Sequence, residues 1–134
     1  RMSHQEVKDE HKESEGDPQI KARVRAIQMQ RARSRMMAAV PDASVIITNP
    51  THYAVALKYD HGAMSAPVVV AKGVDLIAAK IREIADVHAV PIVESPPLAR
   101  ALYASVDVDQ PIRIEHYKAV AEIISYVLRV TRKN

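Results

Sequence analysis

Two strand-like runs separated by only four residues set the first constraint on the fold of this chain. Val45-Ile46-Ile47-Thr48 leads into Asn49-Pro50-Thr51-His52, and the alternating run Tyr53-Ala54-Val55-Ala56-Leu57-Lys58-Tyr59 follows. A connection that short cannot make a crossover, so the two runs must pair antiparallel. The first run is apolar without a break, which predicts a central strand buried on both faces. The second places Tyr53, Val55, Leu57 and Tyr59 on one face and the small Ala54 and Ala56 on the other. A polar loop carrying Asn-Pro between two such runs reads as a hairpin turn.

The rest of the chain supplies more strands and the helices to cover them. Pro67–Ala71 reads as a third strand, and Lys72-Gly73 leads into a helix of about Val74–His88. Val74, Ile77, Ile81, Ile84 and His88 recur there at helical spacing. Val90–Glu94 reads as a fourth strand. Strand, helix and strand in series imply a right-handed βαβ unit with a parallel pair. Ser95-Pro96 predicts a helix start, with Ser95 as cap and Pro96 in the first turn. That short helix carries Leu98, Ala101 and Leu102 on one side. A loop over 105–113 precedes a last helix of about Glu115–Val130, with Tyr117, Val120, Ala121, Ile124, Val127 and Leu128 on one face.

Upstream, residues 3–14 read as a polar helix, and Glu15-Gly16-Asp17-Pro18 interrupts it. Asp17 can cap a second helix of about Pro18–Ala38. Ile20, Val24 and Ile27 share a thin apolar face on which Arg31 also falls, so only the Met36–Val40 end is expected to pack. The fold class expected is α/β: a small mixed four-stranded sheet surrounded by helices, with a long N-terminal helical linker. Residues 1–40 form the linker and 41–134 the domain.

Composition narrows the chemistry. A chain of 134 residues with 48% hydrophobic content can bury one ordinary core. It has no Phe and no Trp, so Val, Ile, Leu, Ala and Met must build that core. It has no Cys, which excludes disulfides and thiolate metal sites. No apolar run approaches a membrane span, and no signal peptide is evident. His4, His11, His61, His88 and His116 show no ligand spacing, and His88 is expected to be packed at the end of its helical stripe. The serines lie in no nucleophile-elbow pattern, and the three glycines form no phosphate loop. No metal and no cofactor are therefore expected. Lys21, Arg23, Arg25, Arg31, Arg33 and Arg35 form a run without an acid. Such a run can be a solvated helix face, or it can meet phosphate on nucleic acid or on anionic lipid. The absence of interleaved aromatics lowers the nucleic-acid reading.

Asn49-Pro50 also has a chemical reading beside the plain turn. Asparagine ordinarily degrades when the next residue's backbone nitrogen attacks the side-chain carbonyl. Pro50 has no N–H, so that route is closed. The Asn49 side-chain nitrogen can instead attack its own backbone carbonyl carbon and expel the Pro50 nitrogen, leaving a succinimide at Asn49 and a new N-terminus at Pro50. An amide is a poor nucleophile, so the turn must hold it near attack distance. Such orientation can remove several kcal/mol of barrier, with about 7–11 kcal/mol as the upper range. Thr51 can hydrogen-bond within the turn or be an ordinary loop residue. His52 can move a proton, as a residue type that titrates near neutrality, or merely shape the loop.

Asn49-Pro50-Thr51-His52, between its two runs, resembles the self-cleavage motif of the FlhB/YscU family of type III secretion export-gate switch proteins. Gly16-Asp17-Pro18-Gln19-Ile20-Lys21, Lys72-Gly73-Val74-Asp75, Val90-Pro91-Ile92-Val93-Glu94 and Pro96-Pro97-Leu98-Ala99-Arg100-Ala101-Leu102-Tyr103 also match, in the family's order. The likeness is greatest to the flagellar branch. The resemblance implies the same α/β fold and single-event cleavage between Asn49 and Pro50 with no turnover of other substrates. It also implies a switch of export from rod and hook subunits to filament subunits. The implied partners are export-apparatus proteins, exported flagellar subunits and a hook-length control protein. The implied location is the cytoplasmic face of the bacterial inner membrane, with the basic run 21–35 facing anionic lipid and a membrane-embedded part preceding this chain. The alternatives are a non-cleaving interaction domain and a nucleic-acid binding module using the basic helix.

Overall fold

The computed structural model describes residues 17–50 and 52–132. The expected helix over 3–14, Thr51 and the last two residues of the polar tail lie outside that range. The backbone divides into two compact units, one ending at Ser34 and the other beginning at Arg35.

Helix α1 spans Pro18–Ala39. Asp17 caps it as expected: its Oδ1 accepts from the Gln19 N–H at 2.8 Å, and its carbonyl accepts from the Lys21 N–H. No residue of α1 is buried, and Ile20, Val24 and Ile27 are exposed.

In the second unit, strands β1 (Val45–Asn49), β2 (Tyr53–Lys58), β3 (Val68–Val74) and β4 (Ile92–Glu94) form one mixed sheet in the order β3-β2-β1-β4. β1 pairs antiparallel with β2, from Val45↔Leu57 to Asn49↔Tyr53. Its other edge pairs parallel with β4, from Ile46↔Ile92 to Thr48↔Glu94. β1 is therefore central and buried along Val45–Thr48, as its unbroken apolar run requires. The parallel pair is β1 with β4. The strand–helix–strand segment instead carries the chain from one edge of the sheet to the other. β3 is longer than the sequence suggests because Lys72, Gly73 and Val74 continue the ladder against Val55, Ala54 and Tyr53.

Helices α2 (Asp75–Val87), α3 (Pro96–Ser105) and α4 (Tyr117–Arg132) cover the two faces. Val45, Ile47, Val55, Leu57 and Val69 pack on one face with Ala99 and Leu102 of α3 and with Val120 and Val127 of α4. Ile46, Ala54, Ala56 and Ala71 pack on the other with Ala78, Ile81 and Ala85 of α2 and with Val40. Met36 and Met37 at the end of α1 join this second cluster. The alternation along β2 thus divides as read: larger side chains toward α3 and α4, alanines toward α2.

Local expectations differ at Ser95 and His88. Ser95 precedes α3, but its hydroxyl makes no capping bond, and its carbonyl accepts from the Ala99 N–H instead. His88 is exposed beyond α2, because the buried positions of that helix are Ala78, Ile81 and Ala85. The loop at 105–113 is tied to the β3 edge: Asp109 N–H donates to the Val69 carbonyl, Val69 N–H to Gln110, and Ile112 N–H to Pro67.

Candidate functional site

The turn between β1 and β2 is built by the strands on either side of it. The Asn49↔Tyr53 pair closes the ladder, and the chain reverses between them. The His52 N–H donates to the Asn49 carbonyl oxygen at 3.0 Å, the first-to-fourth bond of a tight turn. Proline suits the second position of such a turn because its φ is already set. Asn49 is half-buried at the end of β1, whereas Pro50 and His52 are exposed.

Helix α2 fastens this turn from outside. The Asp75 N–H donates to the His52 carbonyl at 3.1 Å, and Arg82 Nη1 donates to the Pro50 carbonyl at 2.8 Å. The Asp75 carboxylate also lies 3.7 Å from His52 Nδ1, with both side chains mostly in solvent. Asp75 begins α2 with φ 48°, a left-handed conformation that costs a non-glycine residue free energy and persists only where its surroundings hold it. The preceding residues keep strand and helix close. A Cβ on Gly73 would run into the Ile77 side chain.

A shallow hollow beside the turn is lined by Asn49, His52, Tyr53, Val74, Asp75 and Arg100. Tyr53 of that lining packs on Tyr103, with ring centroids 5.1 Å apart. Lys72 lies 4.8 Å above the Tyr103 ring and donates from Nζ to the Tyr103 carbonyl at 2.8 Å.

The structure therefore gathers Asn49, Pro50 and His52 in one turn, and Thr51 lies outside the described residues. It adds Asp75 and Arg82, which motif reading did not single out. Asp75 belonged to a family-like stretch, Lys72-Gly73-Val74-Asp75, but nothing in spacing linked it to the turn. Arg82 lies off the apolar stripe of its helix and reads as solvated surface. Chemically, the turn presents an Asn-Pro peptide whose carbonyl oxygen already accepts one N–H, flanked by a carbonyl bonded to a cation.

The basic residues expected to meet phosphate, Lys21, Arg23, Arg25, Arg31, Arg33 and Arg35, are all exposed on α1. Among the described residues no helix is long and apolar enough to cross a membrane.

Residues 1–127 match the model of the FlhB HrpN YscU SpaS Family. The flagellar biosynthetic protein FlhB of Bacillus subtilis is 56% identical over 133 residues, covering 99% of this chain and 37% of that protein. The chain thus spans little more than a third of the length of that relative. The crystal structure of the cytoplasmic domain of FlhB from Shewanella putrefaciens is similar, with a TM-score of 0.72 and 48% identity over 75% of this chain and 78% of that one. A C-terminal domain of EscU in which an asparagine is mutated to alanine gives a TM-score of 0.66 and 32% identity, over 69% of this chain and 92% of that one. Other similar EscU structures carry mutations at the proline next to that asparagine and at a histidine two residues further on. That spacing is the one between Asn49, Pro50 and His52.

Proposed function

The chain belongs to the FlhB HrpN YscU SpaS family, and from that membership and the anchored turn we propose that it cuts itself once between Asn49 and Pro50. The observation that carries the reading is the tight turn itself, with the His52 N–H on the Asn49 carbonyl oxygen at 3.0 Å. Attack at the Asn49 carbonyl carbon pushes negative charge onto that oxygen. A donor already in place there stabilises the charge as it develops, at no cost in reorganisation.

In the step, the Asn49 side-chain nitrogen bonds to the Asn49 carbonyl carbon and gives up a proton. The bond from that carbon to the Pro50 nitrogen breaks, and the Pro50 nitrogen takes up a proton. The products are a C-terminal succinimide, which water later opens, and a secondary amine at Pro50. Protonation matters because the nitrogen of an amide leaves badly as an anion. In this reading His52 relays the proton between water and either nitrogen, and Thr51 has the supporting role. No other substrate is turned over, so the event is a switch rather than a catalytic cycle.

The cut changes the loop without scattering the fold, since β1 stays hydrogen-bonded to β2 and β4. In this reading the altered surface moves a flagellar export apparatus from rod and hook subunits to filament subunits, in response to a hook-length control protein. The chain works at the cytoplasmic face of the inner membrane, beside other export-apparatus proteins. There the exposed Lys21, Arg23, Arg25, Arg31, Arg33 and Arg35 meet anionic lipid. Flotation with anionic vesicles, and not with neutral ones, tests that contact.

Denaturing electrophoresis and mass spectrometry test the cleavage. The wild-type chain should yield fragments ending at Asn49 and beginning at Pro50, and Asn49→Ala should stay whole. A wild-type chain that remains intact after long incubation would leave a plain interaction domain.

A further inference from the structure

We propose that Arg82 is a positioning residue for the self-cleavage, acting with Asp75 as a two-point clamp by which α2 holds the turn ready to cyclise. The inference rests on the cleavage reading above and adds the part played by residues far from the motif. Asp75 and Arg82 lie seven positions apart on α2, two helical turns, and so on one face of it, about 10 Å apart along the axis. Asp75 secures the far side of the turn through its N–H on the His52 carbonyl. Arg82 secures the near side through Nη1 on the Pro50 carbonyl at 2.8 Å, a contact spanning 32 residues of sequence. With the His52 N–H on Asn49, the carbonyls of Asn49, Pro50 and His52 all have donors.

The clamp bears on the rate for two reasons. Ring closure needs the Asn49 side-chain nitrogen over its own carbonyl carbon, a geometry that the tight turn maintains. Holding the Pro50 carbonyl opposes rotation of the peptide after Pro50, and with it opening of the turn, before the reaction begins. The guanidinium charge also stands one peptide away from the carbonyl oxygen that turns negative, so its attraction grows in the transition state. Arg82 touches neither reacting nitrogen, which makes it a positioning residue rather than a catalytic one. Its exposed setting limits the effect to a modest factor.

The test follows cleavage of newly made chains in a cell-free translation, with synthesis stopped and the uncut fraction read on denaturing gels. Arg82→Ala should cut about 2- to 12-fold more slowly than wild type, the factor expected for the net worth of one ordinary hydrogen bond. Arg82→Lys, which keeps the charge and a donor, should recover part of the rate. Thermal midpoints of both variants, measured in the uncleavable Asn49→Ala background, should match that background. Wild-type speed in Arg82→Ala would overturn the inference while leaving the cleavage reading intact. So would slowing that lysine does not relieve and that is matched by a fall in midpoint, because the role would then be structural. An intact wild-type chain, or cutting in Asn49→Ala, would remove the cleavage reading and this inference with it.

Discussion

Gly73 sits where β3 hands over to α2, and the space above its Cα is filled by Ile77, whose Cβ would lie 2.6 Å from an added methyl. Gly73→Ala must therefore push α2 away from the sheet. A loss of about 1–3 kcal/mol is expected, the usual cost of overpacking, read as a lower denaturant midpoint in the Asn49→Ala background. Because Gly73 pairs with Ala54, next to Tyr53, the displacement should reach the turn and slow cleavage as well. Asp75 beside it is held at φ 48°. Asp75→Val, which adds β-branching to a left-handed position, should cost about 1–3 kcal/mol, and Asp75→Asn should fold nearly as well as the parent. The Asp75–His52 contact adds little to stability, because both side chains are mostly exposed and an ion pair in water contributes at most about 1 kcal/mol.

At the scale of elements, β1 decides what cutting does. It lies between β2 and β4, both on the C-terminal side of the Asn49–Pro50 bond, so after scission it remains hydrogen-bonded along both edges. The two pieces should elute together in size-exclusion chromatography and separate only in denaturant. Elution as separate species in buffer would contradict that arrangement. Helix α3 fixes one face of the same sheet through Leu102, which is fully buried, so Leu102→Ala should cost about 2–5 kcal/mol by thermal denaturation. Much of this level could be read from sequence: the unbroken run of β1, the alternation of β2 and the capped start of α1 each follow from a local period or a local bond. The sheet order could not. That β4 lies beside β1 and not β3 depends on where α2 packs, a choice made by Ala54, Ala56, Ala78 and Ile81 meeting across the core. Arg82 was hidden for a related reason. Its hydrogen-bond partner is remote in sequence, and a cation off the apolar stripe carries no mark of its target. Ser95 shows the opposite error, a residue type suited to capping whose hydroxyl the fold does not use.

For the whole molecule, the core is made without Phe or Trp, chiefly from Val, Ile, Leu and Ala side chains in two clusters on either side of the sheet. Each side chain contributes a modest share, so stability depends on both clusters being complete at once. Before cleavage, unfolding is an event of one chain, and its midpoint should not depend on protein concentration. After cleavage, two chains must find each other again, so the midpoint should rise with concentration and refolding should slow on dilution. Comparing wild type with Asn49→Ala at several concentrations tests this directly.

The place of β1 also imposes a timetable on synthesis. One of its neighbours follows it from the ribosome almost at once, whereas the other is the last of the four described strands to emerge. A bond broken before that final strand arrives would leave the upstream piece gripped along a single edge, free to drift off while the remainder was still being made. In the self-cleavage reading proposed above, the cut would have to follow completion of the sheet, and α2, which carries Asp75 and Arg82, is translated just before β4.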